Sequence, residues 1–405
     1  MTAADRMWIG AAEAAGLLGV TRATLYAYVS RGYVRSQARP GSSRERGYSR
    51  NDIERVRRRT EERRDPDKAA ARALQWGVPV LESAITLIDA GTLYYRGHDA
   101  AALARSRSVE EVASLVWMAR FDATRPALAA PIAVAKGIPA DLRFVARAQS
   151  MLAAASSRDP LAFELRPESV ALCGWRVLHL LAMAATRSTP TGPAVDRALA
   201  RAWGVKGRGV DVVRAALILC ADHELNVSSF TARCVASAGS NPYAAVIAGL
   251  AALEGTKHGG AGARVESMLD GLRGARHLRG AVAARLRRGE SIEGFGHPLY
   301  PGGDPRARVL LDLLRLHYAR SPDLRFIQDF LQASAPAVRE RPNVDFALAA
   351  VARVLRLPSG SPLMLFAIGR SIGWIGHAIE QYSLNQLIRP RAKYVGVIPA
   401  SSAHG

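Results

Sequence analysis

The sequence predicts an all-α body preceded by a small separate module, and three observations carry that expectation. Strand-forming runs are scarce, whereas Ala, Leu and Arg dominate long windows, a bias that favours helix. The composition, 49% hydrophobic and 22% charged over 405 residues, is that of a globular chain long enough for two or three domains. Third, between Asp222 and Ala261 two apolar-rich runs flank Gly239-Ser240-Asn241-Pro242, a helix stop followed by an Asn cap and a Pro suited to the first helical position. That is the pattern of a helical hairpin with arms of about 15 residues, each spanning roughly 22 Å. Folding back at the turn returns His258 to the end that carries His223, so one end of the hairpin presents two imidazoles. Either histidine alone reads equally well as a satisfied core residue.

Charge and cysteines bound the partners. The net charge is +20, with +6 in the first 70 residues and +14 in the remaining 335, so the opening is the more densely basic part. Anionic partners suit both parts, although an Arg- and Ala-rich surface exposed to solvent gives the same count. Cys173, Cys220 and Cys234 show no CxxC spacing and sit in apolar helical surroundings, as buried thiols in a reducing cytosol do. Residues 234 to 253 carry no charge, but Gly-Ser-Asn-Pro interrupts them, which argues against a membrane span. The start, MTAADRMW, has no signal-peptide hydrophobic stretch, and a cytoplasmic location is expected.

In chain order, Ala11 to Leu18 carries helical periodicity, Gly19 ends it, and Thr21 can cap a second helix that runs through Val29 before Gly32 closes it. Two short helices joined by a tight Gly-containing turn make a helix-turn-helix. Tyr33 to Tyr48 is then rich in Arg, Pro, Gly and Ser, and Asn51 starts a third helix. The segment EAAGLLGVTRATLYAYVSRGYVRS, with its basic wing and YSRNDIERV helix, resembles the MerR or excisionase type of winged helix-turn-helix over about residues 7 to 59. The resemblance implies Thr21, Arg22, Thr24 and Tyr28 directed at the major groove, with Arg39, Arg44 and Arg46 near phosphates. Residues 1–60 are therefore expected to be a winged helix-turn-helix domain, with 61–75 as a linker that begins within the charged run TEERRDPD, Thr60 to Asp67.

The body follows from residue 76. LESAITLIDAGTLYYRGHDAAALARS moves from alternating apolar positions to a helical pattern, and residues 141 to 222 read as several amphipathic helices. No glycine-rich phosphate loop follows a strand, and no metal-ligand spacing occurs. Three motifs in the second half carry chemistry. GFGHPLYPGGDPRAR, Gly294 to Arg308, is held open by Gly and Pro around His297; Asp304-Pro305 opens a helix whose first turn contains Arg306. A cation there opposes the helix dipole, and a bound anion would explain it. RPNVDFALAAV places Asp345 in the first turn of a helix capped by Asn343, which is ordinary helix chemistry when taken alone. FAIGRSIGWIGHAIEQ puts Arg370 on an apolar helix, where burial is costly unless a carboxylate pairs with it.

Arginine forks suit a small di- or tricarboxylate. One carboxylate base with neutral imidazole donors suits proton removal next to a carbonyl followed by carbon–carbon bond formation. In order, DHELNVSSFTAR, GTKHGGA, GFGHPLYPGGDPRA, PNVD, GRSIGWIGHAIEQ and LIRPRAKYVG resemble the motifs of the citrate synthase family over residues 80 to 397. The resemblance implies condensation of acetyl-CoA with oxaloacetate to citrate and free CoA, or 2-methylcitrate formation from propionyl-CoA, with no cofactor. By position, Asp345 would remove the methyl proton, His258 stabilise the enol or enolate, and His297 polarise the oxaloacetate carbonyl. His223, Arg306 and Arg370 would hold the oxaloacetate carboxylates, with Arg389 lent across a homodimer. The implied fold is the all-α citrate synthase fold, with a large domain (76–258 and 361–405) and a small domain (259–360) closing over the substrates.

Departures from the family pattern bear on CoA. Pro301 stands where the family usually has a cation that meets CoA phosphates, and Gly262-Ala263 stand where it commonly has Asn-Glu or Asn-Gln. The region between Trp117 and Ala221 is poor in family signatures and lacks the usual His-Pro-Met segment. The alternative reading is a DNA-binding transcription regulator that uses the synthase body as a metabolite sensor.

Overall fold

A computed structural model describes residues 8–38, 45–50, 52–54, 56–57, 81–122, 137–139, 141–189, 192 and 194–397. The chain forms two compact units, Met1–Glu82 and Ser83–Gly405. The stretch 61–75, expected as a linker, lies outside the described residues, as do Arg39, Arg44 and Asn51.

In the first unit, helices Ala11–Leu18 and Arg22–Ser30 meet at a three-residue turn. Gly19 adopts φ 63°, a left-handed conformation that costs glycine little, and ends the first helix. The Thr21 side chain then accepts from the Thr24 N–H at 3.3 Å and starts the second. Strands Trp8–Ile9, Arg46–Ser49 and Ser36–Ala38 form an antiparallel sheet with Arg46–Ser49 in the centre. Ile9, Ala14, Leu25, Val34, Tyr48 and Ile53 make a small core of their own. Buried Asp52 fastens the returning chain by accepting from both the backbone N–H and Nε of Arg35, at 3.0 and 2.8 Å.

The second unit is mostly helical, but strict all-α is a simplification. Thr86–Asp89, Thr92–Tyr95 and His98–Asp99 form an antiparallel sheet, and the tight turn at Ala90-Gly91, both at positive φ, makes its first hairpin. The alternating apolar positions noted in this stretch are those strands. Around it packs a core centred on the 24-residue helix Ser361–Leu384, against Pro167–Thr186, Gly209–Leu219, Val227–Ser237 and Pro242–Leu253. Pro167–Thr186 and Ser361–Leu384 are long and apolar enough to cross a bilayer, yet both are largely buried inside this unit. Close approach is built in through glycine: a Cβ on Gly373 would strike Asp222 and the Ala221 carbonyl, to which the Gly373 N–H donates at 2.8 Å. The central helix is thereby fixed against the Asp222-His223 corner.

The expected hairpin is present as Val227–Ser237 and Pro242–Leu253, arms of 11 and 12 residues. Gly239 has φ 75°, Asn241 caps the second arm by accepting from the Ala244 N–H at 3.0 Å, and Pro242 is its first residue. The arms are shorter than the apolar pattern suggested because His223 and His258 lie in the loops beyond them. Cys173 and Cys220 are buried free thiols and Cys234 is half-buried.

Candidate active site

Two capped helix starts and two loops position the site. Asp304 caps the helix Pro305–Tyr318, and Asn343 caps Val344–Leu355 through the Asp345 and Phe346 N–H groups. The two starts are tied together, since Asp304 Oδ2 also accepts from the Val344 N–H at 3.0 Å. The loop carrying His297 is strapped to the segment before Asp345 by Gly296 N–H to the Arg341 carbonyl, Asn343 N–H to the Gly294 carbonyl (both 2.9 Å) and Asn343 Nδ2 to the Gly296 carbonyl (3.1 Å). These bonds bring His297 and Asp345, 48 residues apart in the chain, to one place.

Three rings interlock at the centre. His223 and His297 meet edge to face with centroids 5.0 Å apart, and Tyr300 contacts both at 5.5 and 5.0 Å. Tyr300 Oη lies 2.9 Å from His223 Nε2. The Leu299 N–H donates to His297 Nδ1 at 3.2 Å, so the neutral ring carries its proton on Nε2 and is a hydrogen-bond donor there. His223 is followed by Glu224 at φ 51°, a left-handed residue that turns the chain into the hairpin.

The arginines behave differently from each other. Arg306 is buried and forks onto Asp304 through Nε (3.0 Å) and Nη2 (2.8 Å). The capping carboxylate two residues earlier thus supplies a counter-charge for a cation in the first helical turn. Arg370 was expected to have a carboxylate partner, and it has no hydrogen bond to one. It is fully buried, its Nε donates to the Cys220 carbonyl at 2.9 Å, its guanidinium lies 4.7 Å over the Phe366 ring, and among the described residues Nη1 and Nη2 have no hydrogen-bond partner. Behind it Asp222, buried, accepts from the Thr86 hydroxyl at 2.6 Å and lies 3.2 Å from His377 Nε2.

His258 sits in the loop after the hairpin with Nε2 2.9 Å from Ser228 Oγ, and its ring lies 6.0 Å from Phe366. Ser228 Oγ is also 2.9 Å from Asn226 Oδ1, so its single proton goes to one or the other; donation to His258 Nε2 leaves the imidazole proton on Nδ1.

Electrostatics separate the roles. Burial, reinforced by Arg370, lowers His258 to a pKa of about 4, and burial with the Arg306 charge lowers His297 to about 4. His223 is held well below the usual imidazole range by burial and by Arg306 and Arg370. All three are neutral near pH 7. Burial raises Asp345 to about 6, against the opposing pull of Arg306. A carboxyl group raised toward neutrality beside neutral donors is equipment for proton removal next to a carbonyl, and a buried arginine with two unused N–H groups is equipment for holding a carboxylate.

The structure thus gathers His223, His297 and Arg306 through their shared contacts with Tyr300, and links His258 to Arg370 through Phe366. Arg389 is not among them: it is exposed in the segment after the last helix. In the first unit Thr21, Arg22 and Arg46 are exposed and Thr24 is half-buried with its hydroxyl 3.0 Å from that of Thr21. Tyr28, expected to point outward, is half-buried against the small core with its ring edge-on to Tyr33, and Tyr26 is the more exposed ring. No role was expected for Tyr300, Asp222 or Ser228, and Asp304 was expected only to cap a helix. Tyr300 and Asp304 lie within the quoted glycine-rich motif, three and seven residues beyond His297, which was the available signal.

The fold and site are those of a mostly helical protein whose buried arginines, neutral histidines and raised carboxyl suit proton removal next to a carbonyl. Residues 73–391 match the family model described as citrate synthase, C-terminal domain. The chain is 30% identical over 358 residues to "Citrate synthase 2" of Bacillus subtilis, covering 81% of this chain and 96% of that protein. It is 32% identical to "Citrate synthase" of Haloferax volcanii, covering 79% and 94%. The crystal structure of citrate synthase from Thermotoga maritima superposes with a TM-score of 0.66 at 27% identity, covering 80% of this chain and 95% of that one. The chain belongs to the citrate synthase family.

Proposed function

We propose that the chain condenses acetyl-CoA with oxaloacetate to citrate and free CoA. The observation that carries this reading is buried Arg370 with two unpartnered Nη groups, close to the neutral histidines and raised Asp345. Such a guanidinium is costly until a carboxylate reaches it. Arg370, Arg306 and His223 hold the two carboxylates of oxaloacetate. Asp345 takes a proton from the acetyl methyl, and His258 gives a hydrogen bond to the enolate oxygen. The enolate carbon attacks the ketone carbon of oxaloacetate, whose oxygen is polarised by His297 Nε2–H. Water then cleaves the citryl thioester to citrate and CoA. Side chains provide every acid, base and donor in this sequence, and acetyl-CoA enters as co-substrate rather than as a cofactor.

Oxaloacetate-dependent thiol release, measured side by side with acetyl-CoA and propionyl-CoA, tests the reading. Faster turnover of the acetyl donor is expected; preference for the propionyl donor assigns 2-methylcitrate formation, and no turnover of either refutes condensation. The pH dependence is also set. Asp345 works deprotonated, so kcat/KM for the acyl donor falls toward acid along a limb near pH 6, whereas the histidines stay neutral down to about 4. A profile flat between about pH 5 and 8 would contradict the assignment of the base.

Large and small domains with boundaries at 258/259 and 360/361 closing over the substrates, and a homodimer to which Arg389 is lent, belong to the same reading. The tail supports the dimer, since Leu387, Val395 and Val397 are 62%, 88% and 88% exposed. For the first unit we propose a winged helix-turn-helix that binds DNA, supported by the Gly19 turn, the Thr21 cap and the exposed Thr21, Arg22 and Arg46. Arg22→Ala is expected to weaken a salt-sensitive gel shift of duplex DNA several-fold; absence of any shift by the intact chain at low salt would remove DNA binding.

A further inference from the structure

The acyl donor proposed above is a polyanion whose phosphates lie many bonds from its thioester, so their anchors belong at the rim of the site rather than at its centre. The loop from Gly294 to Asp304 forms part of that rim and contains no lysine or arginine; its exposed apex is Pro301. Arg264, on the helix Gly260–Leu272, is engaged with Glu293 at 3.1 Å and with the Thr256 carbonyl at 2.7 Å. On the other side lies Arg341, four residues before the proposed base.

The packing of Arg341 is specific. Gly303, at φ 107°, leaves a notch into which the Arg341 stem fits; a Cβ on that glycine would lie 2.7 Å from Arg341 Cδ and 3.2 Å from its Cβ. The Arg341 carbonyl accepts from the Gly296 N–H, so backbone and side chain grip the same loop at two points seven residues apart. The side chain is exposed, and among the described residues its guanidinium has neither an ion pair nor a hydrogen bond. Glu340, the neighbouring acid, turns its stem over Gly296 instead, with its Cγ 3.1 Å from where a Cβ would be. A long cation held by its stem against the loop that carries His297, with its head left in solvent, is pre-organised for an anion that arrives with the substrate.

We propose that Arg341 binds a phosphate group of the CoA moiety and so supplies, from across the loop, the positive charge that Pro301 does not. This assignment rests on the reading that the donor is an acyl-CoA. It makes Arg341 a binding residue that leaves the chemistry at Asp345, His258 and His297 untouched.

The test uses the intact chain and two variants. Arg341→Met keeps the aliphatic stem for the Gly303 notch and removes the charge; Arg341→Lys keeps a cation. Calorimetric titration with CoA is expected to show about tenfold or more weaker binding in Arg341→Met and substantial recovery in Arg341→Lys. Steady-state assays should show the same factor in KM for acetyl-CoA, with kcat and KM for oxaloacetate unchanged within about twofold. Titration with 3′-dephospho-CoA locates the contact: equal affinity for wild type and Arg341→Met places it at the 3′-phosphate, and a loss like that for CoA places it at the pyrophosphate. Unchanged CoA affinity in Arg341→Met overturns the proposal whether or not the chain turns over. Failure of condensation together with charge-dependent CoA binding overturns the condensation reading alone.

Discussion

Asp345→Ala lowers oxaloacetate-dependent thiol release by about a thousandfold, the scale of a lost general base, while oxaloacetate affinity changes little. The reason is placement: Asp345 is the carboxyl group in this site that burial raises to about 6, whereas Asp304 is held below the usual range, burial opposing it and Arg306 more than compensating. Asp304 therefore stays a counter-ion. Asp345→Asn has the same kinetic effect and separates chemistry from folding. The folded chain binds the Asp345 proton more tightly than an unfolded chain, whose carboxyl titrates near 3.8, so this site stabilises at acid pH and loses that contribution as pH rises through about 6. Ionised Asp345 costs the fold on the order of 3 kcal/mol at neutral pH, and the Asn variant should show a Tm at or above that of wild type there, with the advantage shrinking as pH falls. Thermal unfolding of both proteins at two pH values reads this; a lower Tm for the variant at neutral pH would contradict the buried ionised base.

Arg370→Leu is expected to raise KM for oxaloacetate by about a hundredfold and to lower kcat, because the carboxylate that the guanidinium holds also orients the ketone toward His297. Stability should not fall with it. Wild type buries a cation whose Nη1 and Nη2 have no hydrogen-bond partner among the described residues, and leucine removes that desolvation cost, at the loss of the Nε bond to the Cys220 carbonyl. Kinetics and thermal unfolding on one preparation distinguish this outcome from general damage: weak oxaloacetate binding with an unchanged Tm is predicted, and a collapsed Tm would mean that Arg370 is chiefly structural.

Local chemistry was legible in the sequence where it is punctuated. The Thr21 cap, the Gly19 stop and the Gly239 to Pro242 hairpin turn all read correctly, because Gly, Pro, Asn and Thr at helix ends have few alternative uses. The histidines, Asp345 and Arg370 could be named from six ordered motifs. What could not be read was partnering across the fold. Arg306 looked like a cation waiting for a ligand, yet Asp304 forks it from within its own turn. Arg370 looked like half of an ion pair, and its partners are the Cys220 carbonyl, brought from elsewhere in the chain, and the Phe366 face one turn back on its own helix. Tyr300 acquires meaning only when His223, 77 residues earlier, folds against it. The first sheet of the second unit was visible as alternation at Thr86 to Tyr95 but too short to outweigh the helical bias around it.

The measurement that tests the central claim most directly is the stoichiometry of a single reaction: free thiol and citrate counted together after the intact chain is mixed with acetyl-CoA and limiting oxaloacetate. One thiol and one citrate are expected for each oxaloacetate consumed, and no thiol without oxaloacetate. Thiol release that proceeds without oxaloacetate, or that leaves no citrate, would contradict it.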